Sequence, residues 1–163
     1  MPTVEPNAAA PALALPDLNG AVHTLAQLRA DRPVLLCFYK IECPTCRLTL
    51  PFVEKLHQQY GSALHVVGVA QNPTSDVVMY THELGLTFTQ LIDNDPFDAS
   101  FDYGVEFTPT TFFVDRAGTV RHLIVAWDRA GYNELSALLA RETGLAYAPA
   151  STAGDGAPDS RPG

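Results

Sequence analysis

The run Val34-Leu35-Leu36-Cys37-Phe38-Tyr39 contains no charged residue, and Cys43-Pro44-Thr45-Cys46 follows it closely. An apolar run this short, bounded by Pro33, reads as a buried central strand. Residues Pro44 to Tyr60 then read as a helix. Proline suits the first helical position, and Gly61 ends the pattern. Leu48, Phe52, Val53, Leu56 and Tyr60 form its apolar stripe. Pro51 lies inside the helix and is expected to kink it. The cysteine pair therefore sits where a buried strand hands over to a helix.

The remaining elements alternate. Asp17-Leu18-Asn19-Gly20 is a turn signal within Leu13–Leu25 and suggests a short hairpin. A helical turn is expected over Leu25–Ala30, a strand over Leu64–Ala70 and a helix over Ser75–Leu84. A strand over Phe88–Ile92 and a short helix over Pro96–Tyr103 follow. Thr110–Val114 and Thr119–Val125 flank Asp115-Arg116-Ala117-Gly118 as a hairpin, and Ala130–Thr143 is a final helix stopped by Gly144. Strand–helix alternation closing on a hairpin plus helix implies an α/β fold with a mixed central sheet flanked by helices. Residues 1–12 are rich in Ala and Pro and are expected to be flexible. Residues 148–163 carry no large apolar side chain and are expected to be a disordered tail, leaving one domain over 13–147.

With 163 residues there is enough chain for one real core. The formal net charge is −8, and the ten Lys and Arg residues form no basic patch, which argues against nucleic-acid binding. No apolar run approaches the ~20 residues of a membrane span. Met1–Ala12 lacks a basic n-region and is broken by prolines, so no signal peptide is read and a cytoplasmic location is expected.

Three cysteines, Cys37, Cys43 and Cys46, fall within ten residues. That clustering is unlike a secreted disulfide framework and points to redox chemistry or a metal. Cys43 and Cys46 are spaced i, i+3 in a first helical turn, where Cα atoms approach to ~5–6 Å, within disulfide range. Unpaired backbone N–H groups and the positive dipole end face the Cys43 sulfur and favour its thiolate, the nucleophilic form. Cys46 lies deeper and suits the resolving role. The other reading is half of a zinc site. It lacks partners, because there is no second C-x-x-C and the histidines at 23, 57, 65, 82 and 122 show no compact ligand spacing. No metal and no organic cofactor is expected, since both redox electrons reside in the sulfurs. Cys37 reads as an inert core thiol.

The stretch Val34 to Arg47 followed by Pro51 resembles the active-site strand and helix of thioredoxin. Phe107-Thr108-Pro109-Thr110-Thr111-Phe112-Phe113-Val114-Asp115 with Gly118 is similar to its cis-proline segment. The early Leu-Pro-Asp-Leu-Asn-Gly element, the insertion over Ser75–Asp93 and Gly85-Leu86-Thr87-Phe88 resemble the redoxin branch. That branch holds TlpA/ResA-like thiol–disulfide reductases and the peroxiredoxins. The resemblance covers about residues 12–143. It implies a thioredoxin fold, a cis Thr108–Pro109 bond and a Thr108 backbone that pairs with an incoming substrate strand. It also implies protein or small-molecule disulfide substrates and a reducing partner such as a thioredoxin reductase-type system.

Some residues depart from the family pattern. Glu42 stands where thioredoxin has tryptophan and sets a negative charge beside the nucleophile; with Pro44 and Thr45 it is expected to tune the couple. Cys37 stands at the position of a buried aspartate, and Asn72 near that of the ResA-like acid, so the proton acceptor for Cys46 is unassigned. The main expectation is a disulfide reductase or exchanger. A thiol peroxidase of peroxiredoxin type is the alternative, but its Pro-x-x-x-Thr-x-x-Cys pattern would place Tyr39 and Cys43 at the Pro and Thr positions. A non-enzymatic module retaining the fold is disfavoured by two intact cysteines.

Overall fold

A computed structural model describes residues 1–163. The hairpin forms as β1 (Ala14–Pro16) and β2 (Val22–Thr24), because Asp17 Oδ1 accepts from the Asn19 and Ala21 amides at 2.8 and 3.0 Å. Thr24 and Gln27 then cap α1 (Leu25–Leu28) reciprocally. The main sheet is built from β3 (Val34–Tyr39), β4 (His65–Ala70), β5 (Thr89–Ile92), β6 (Thr110–Val114) and β7 (Val120–Val125). Its order is β5-β4-β3-β6-β7, with β3, β4 and β5 parallel, β6 antiparallel to β3 and β7 antiparallel to β6. This is the mixed sheet of a thioredoxin fold, and β3 is its central strand.

All six residues of β3 are buried. Their side chains alternate between two cores. Leu35, Cys37 and Tyr39 join α2 (Pro44–Tyr60) and α5 (Arg129–Thr143) on one face. Val34, Leu36 and Phe38 join Leu13, Leu28, Tyr103 and Phe112 on the other. Each fully buried side chain of this size contributes roughly 1.5–3 kcal/mol of burial. Helix α2 runs unbroken through Pro51, whose side chain is exposed; it buries Thr49 and Leu50 as well as Val53, Leu56 and Tyr60, while Leu48 and Phe52 are half-buried. The remaining helices are α3 (Thr74–Leu84) and α4 (Asp98–Asp102). No helix is long and apolar enough to cross a membrane.

Both chain ends depart from expectation. Residues 1–12 are not loose. The Val4, Asn7 and Ala10 amides donate to the carbonyls of Tyr103, Val120 and Gly118 at 3.1, 2.8 and 2.8 Å, and Ala9 bridges Thr119. Small side chains permit this close approach. At Gly104 a Cβ would overlap the Pro2 carbonyl. Residues 148–163 are not a disordered tail either. Ala150 and Ser151 are buried, and β9 (Ser160–Arg161) pairs antiparallel with β8 (Trp127–Asp128). Polar anchors, not apolar side chains, hold this segment. Asn133 exchanges hydrogen bonds with Ser151 at 2.9 and 3.0 Å, and Trp127 Nε1 donates to the Pro158 carbonyl at 2.7 Å.

Candidate active site

Strand β3 ends at Tyr39, and a tight turn closed by Cys43 N donating to Lys40 O (3.3 Å) leads into α2. Cys43 is the N-cap, in extended conformation (φ −87°, ψ 115°), with Pro44 following it. Its sulfur accepts from the Cys46 amide at 3.2 Å, which places it on the orphan N–H groups of the helix. The Cys43 thiol donates to the Thr108 carbonyl at 3.2 Å. Thr108 arrives there because β6 lies beside β3 in register, with Phe38 opposite Thr110. The Thr108–Pro109 bond is cis, and Pro109 is buried.

The two cysteines differ in depth. Cys43 is 6% exposed and faces a cavity of about 340 Å³ rimmed by Lys40, Glu42, Pro44, Glu106 and Phe107. Cys46 is 0% exposed. Burial, and next the Cys43 side chain, push the Cys46 thiol well above its ordinary range, with no carboxylate among the perturbing groups. Besides Cys43, the tyrosines Tyr39, Tyr80 and Tyr132 lie within electrostatic reach of Cys46, and burial raises each of them.

The other sequence-predicted residues are placed as follows. Glu42 accepts from Asn72 Nδ2 at 2.8 Å, and Asn72 Oδ1 accepts from the Ile41 amide at 2.9 Å, so Asn72 clamps the turn before the nucleophile. The Thr45 hydroxyl does not engage either sulfur. It donates to the Pro162 carbonyl at 2.6 Å. Pro44 is exposed on the cavity rim. No group of three or more His, Cys, Asp or Glu side chains is arranged to hold a metal. Cys37 is fully buried opposite Thr111, whose hydroxyl meets Tyr132 Oη at 2.8 Å.

A family model described as AhpC/TSA matches residues 6–123. The chain belongs to the AhpC/TSA family. Among its relatives, the thioredoxin-like protein YneN of Bacillus subtilis is 33% identical over 120 residues, covering 71% of this chain and 69% of that one. The thiol–disulfide oxidoreductase ResA of Geobacillus thermodenitrificans is 33% identical over 118 residues, covering 71% and 66%. In structure, an interchange protein assigned as DsbE from Chlorobium tepidum superposes with TM-score 0.78 at 26% identity, covering 87% of this chain and 100% of that one. A secreted disulfide oxidoreductase of Mycobacterium tuberculosis gives 0.66 at 25% identity, covering 79% and 95%. ResA is named as a thiol–disulfide oxidoreductase and the Mycobacterium tuberculosis protein as a disulfide oxidoreductase, and this chain is a thiol–disulfide oxidoreductase of the same family.

The buried thiols give the reduced protein a pH signature. Burial pushes Cys37 up to about 12 from an ordinary 9.0, and Cys46 moves the same way. The folded chain holds these protons more tightly than the unfolded chain. Their stabilisation is complete below pH 9 and is lost as pH rises from there toward the folded values. The buried tyrosines start one unit higher, from 10.0, so the thiols lead the loss between pH 9 and 10 and the Cys37→Ala comparison separates their share. The urea midpoint of reduced protein should fall across that interval, and less steeply in Cys37→Ala. A midpoint independent of pH there would contradict the assignment.

Proposed function

We propose that the chain reduces protein disulfides, with Cys43 as the attacking thiol and Cys46 as the resolver. The observation that carries this reading is the pairing of a cavity-facing sulfur at the N-cap with a second sulfur one turn deeper and sealed from solvent. The Cys43 thiolate attacks one sulfur of a substrate disulfide. A Cys43–substrate disulfide forms and the first substrate thiolate leaves. Cys46, once deprotonated, attacks Cys43 Sγ. The Cys43–Cys46 disulfide forms and the second substrate thiolate leaves, so two electrons pass from the cysteine pair to the substrate. An external dithiol restores the pair.

The Thr108 carbonyl, now bonded to the Cys43 thiol, loses that donor on ionisation and becomes free to accept from a substrate amide. Insulin reduction driven by dithiothreitol tests the reading, and EDTA should leave the rate unchanged. Stoichiometric zinc that is lost together with activity on chelation would overturn it.

A further inference from the structure

The chain's own segment Ser160–Gly163 lies in the groove beside Cys43. Pro162 offers its carbonyl to the Thr45 hydroxyl at 2.6 Å, on the first turn of α2. Gly163 lies against Phe107 and Thr108 on the opposite wall, so close that a Cβ on it would overlap the Thr108 carbonyl oxygen. That oxygen is also the acceptor of the Cys43 thiol. Residues 162–163 therefore span the groove from helix to loop, and Gly163 lines the cavity that holds the sulfur.

The anchoring is graded along the segment. At its base Asn133, Ser151 and Asp155 are bonded together, and Ala150 is sealed from solvent. Arg129 then reaches Ser151 Oγ at 3.0 Å and the Ala157 carbonyl at 2.6 Å, and pairs with Asp159. Beyond this point the holds thin out. Ser160–Gly163 are exposed, and their holds are the short pairing with β8, the Thr45 bond and the packing of Gly163 on Thr108. A firmly tethered base and a lightly held tip can lift at the tip without unfolding the domain.

We propose that Ser160–Gly163 is a strap that screens substrates at Cys43 by size. A small disulfide reaches the sulfur through the cavity of about 340 Å³ that the strap leaves open. An extended polypeptide needs the strip along Thr108 that Gly163 covers, and must displace the tip first. The inference rests on Cys43 being the attacking thiol, and it names the residues that set which disulfides reach that thiol.

The test uses the full chain carrying Cys46→Ser, compared with the same protein lacking Ser160–Gly163 and with the same protein carrying Gly163→Ala. Each is reacted with dithionitrobenzoate and with an extended peptide whose central cysteine bears the same thionitrobenzoate leaving group. Release of thionitrobenzoate gives the capture rate at Cys43. Deletion should speed peptide capture about fivefold, the factor that one ordinary hydrogen bond holds back, and leave the small reagent unchanged. Gly163→Ala should act in the same direction although it adds an atom, because the added Cβ drives the tip off Thr108. Peptide rates equal in all three proteins, or equal acceleration of both reagents, would overturn the strap and leave the reductase reading standing. Peptide-selective acceleration, when the protein with both cysteines intact shows no insulin turnover, would overturn the reductase reading and leave the strap. Capture of neither reagent would overturn both.

Discussion

Cys43→Ser is expected to abolish disulfide reduction, by a factor on the order of a thousand or more, while Cys46→Ser should stall the enzyme as a covalent adduct. A serine hydroxyl does not ionise near neutral pH and cannot form the mixed disulfide, so losing Cys43 removes the first step entirely. Neither remaining thiol can replace it, because Cys37 and Cys46 are both 0% exposed. In Cys46→Ser the first step survives. The Cys43 sulfur keeps its place at the helix N-cap, since the Cys46 amide that holds it belongs to the backbone. The resolving attack is lost, and the Cys43–substrate disulfide accumulates. Mass spectrometry of the quenched reaction should find the adduct on Cys43 in Cys46→Ser and none in Cys43→Ser. An adduct on Cys46 or Cys37 would reverse the assignment of roles.

The placement of the two sulfurs could be read early because the deciding features are local. Six buried residues in a row, a proline at the first helical position and a cysteine just before it set strand, helix and N-cap within a short stretch. The hairpin at Asp17–Gly20 was legible for the same reason, because its turn is closed by its own aspartate. Helix α4 was less so. The expected start at Pro96 gives way to Asp98, because Phe97 takes a positive φ of 62°. The helix is capped from further upstream, by the Asp93 carboxylate accepting from the Ala99 and Ser100 amides at 3.2 and 2.8 Å. No spacing rule links Asp93 to that cap.

The chain ends show where composition misleads. A segment without large apolar side chains cannot offset its ordering entropy by its own burial. Residues 148–163 are ordered by groups elsewhere that need acceptors. Trp127 Nε1, Arg129, Asn133 and Ser136 all bond to backbone carbonyls of the segment, those of Pro158, Ala157, Ser151 and Ala148. Thr45 illustrates the same point at the site. Its place between the cysteines suggested a tuning role, yet its hydroxyl is committed to a carbonyl 117 positions away.

Hydrogen peroxide should oxidise Cys43 no faster than it oxidises an unactivated thiol. The redoxin branch that the sequence resembles also holds the peroxiredoxins, so this result separates two chemistries available to one fold. Attack on peroxide requires more than a thiolate. The O–O bond must be polarised, and donors must meet the oxygen on which charge develops. Around Cys43 the polar partners of the sulfur are one amide, already bonded to it, and the Thr108 carbonyl, which can only accept. Cys43 itself stands three residues before Cys46, where a peroxidatic Cys46 would need a threonine hydroxyl. The neighbouring guanidinium of Arg47 is drawn away onto Glu83 and over the Tyr80 ring, 5.9 Å from its centroid. Lys40 on the cavity rim is exposed to solvent. A disulfide substrate needs none of these donors, because its leaving thiolate carries charge on a large, polarisable sulfur. Stopped-flow oxidation should therefore show slow reaction with peroxide and fast reaction with an activated disulfide in the same preparation. Peroxide oxidation orders of magnitude faster than that of free cysteine would make the peroxidase chemistry the better account of the site.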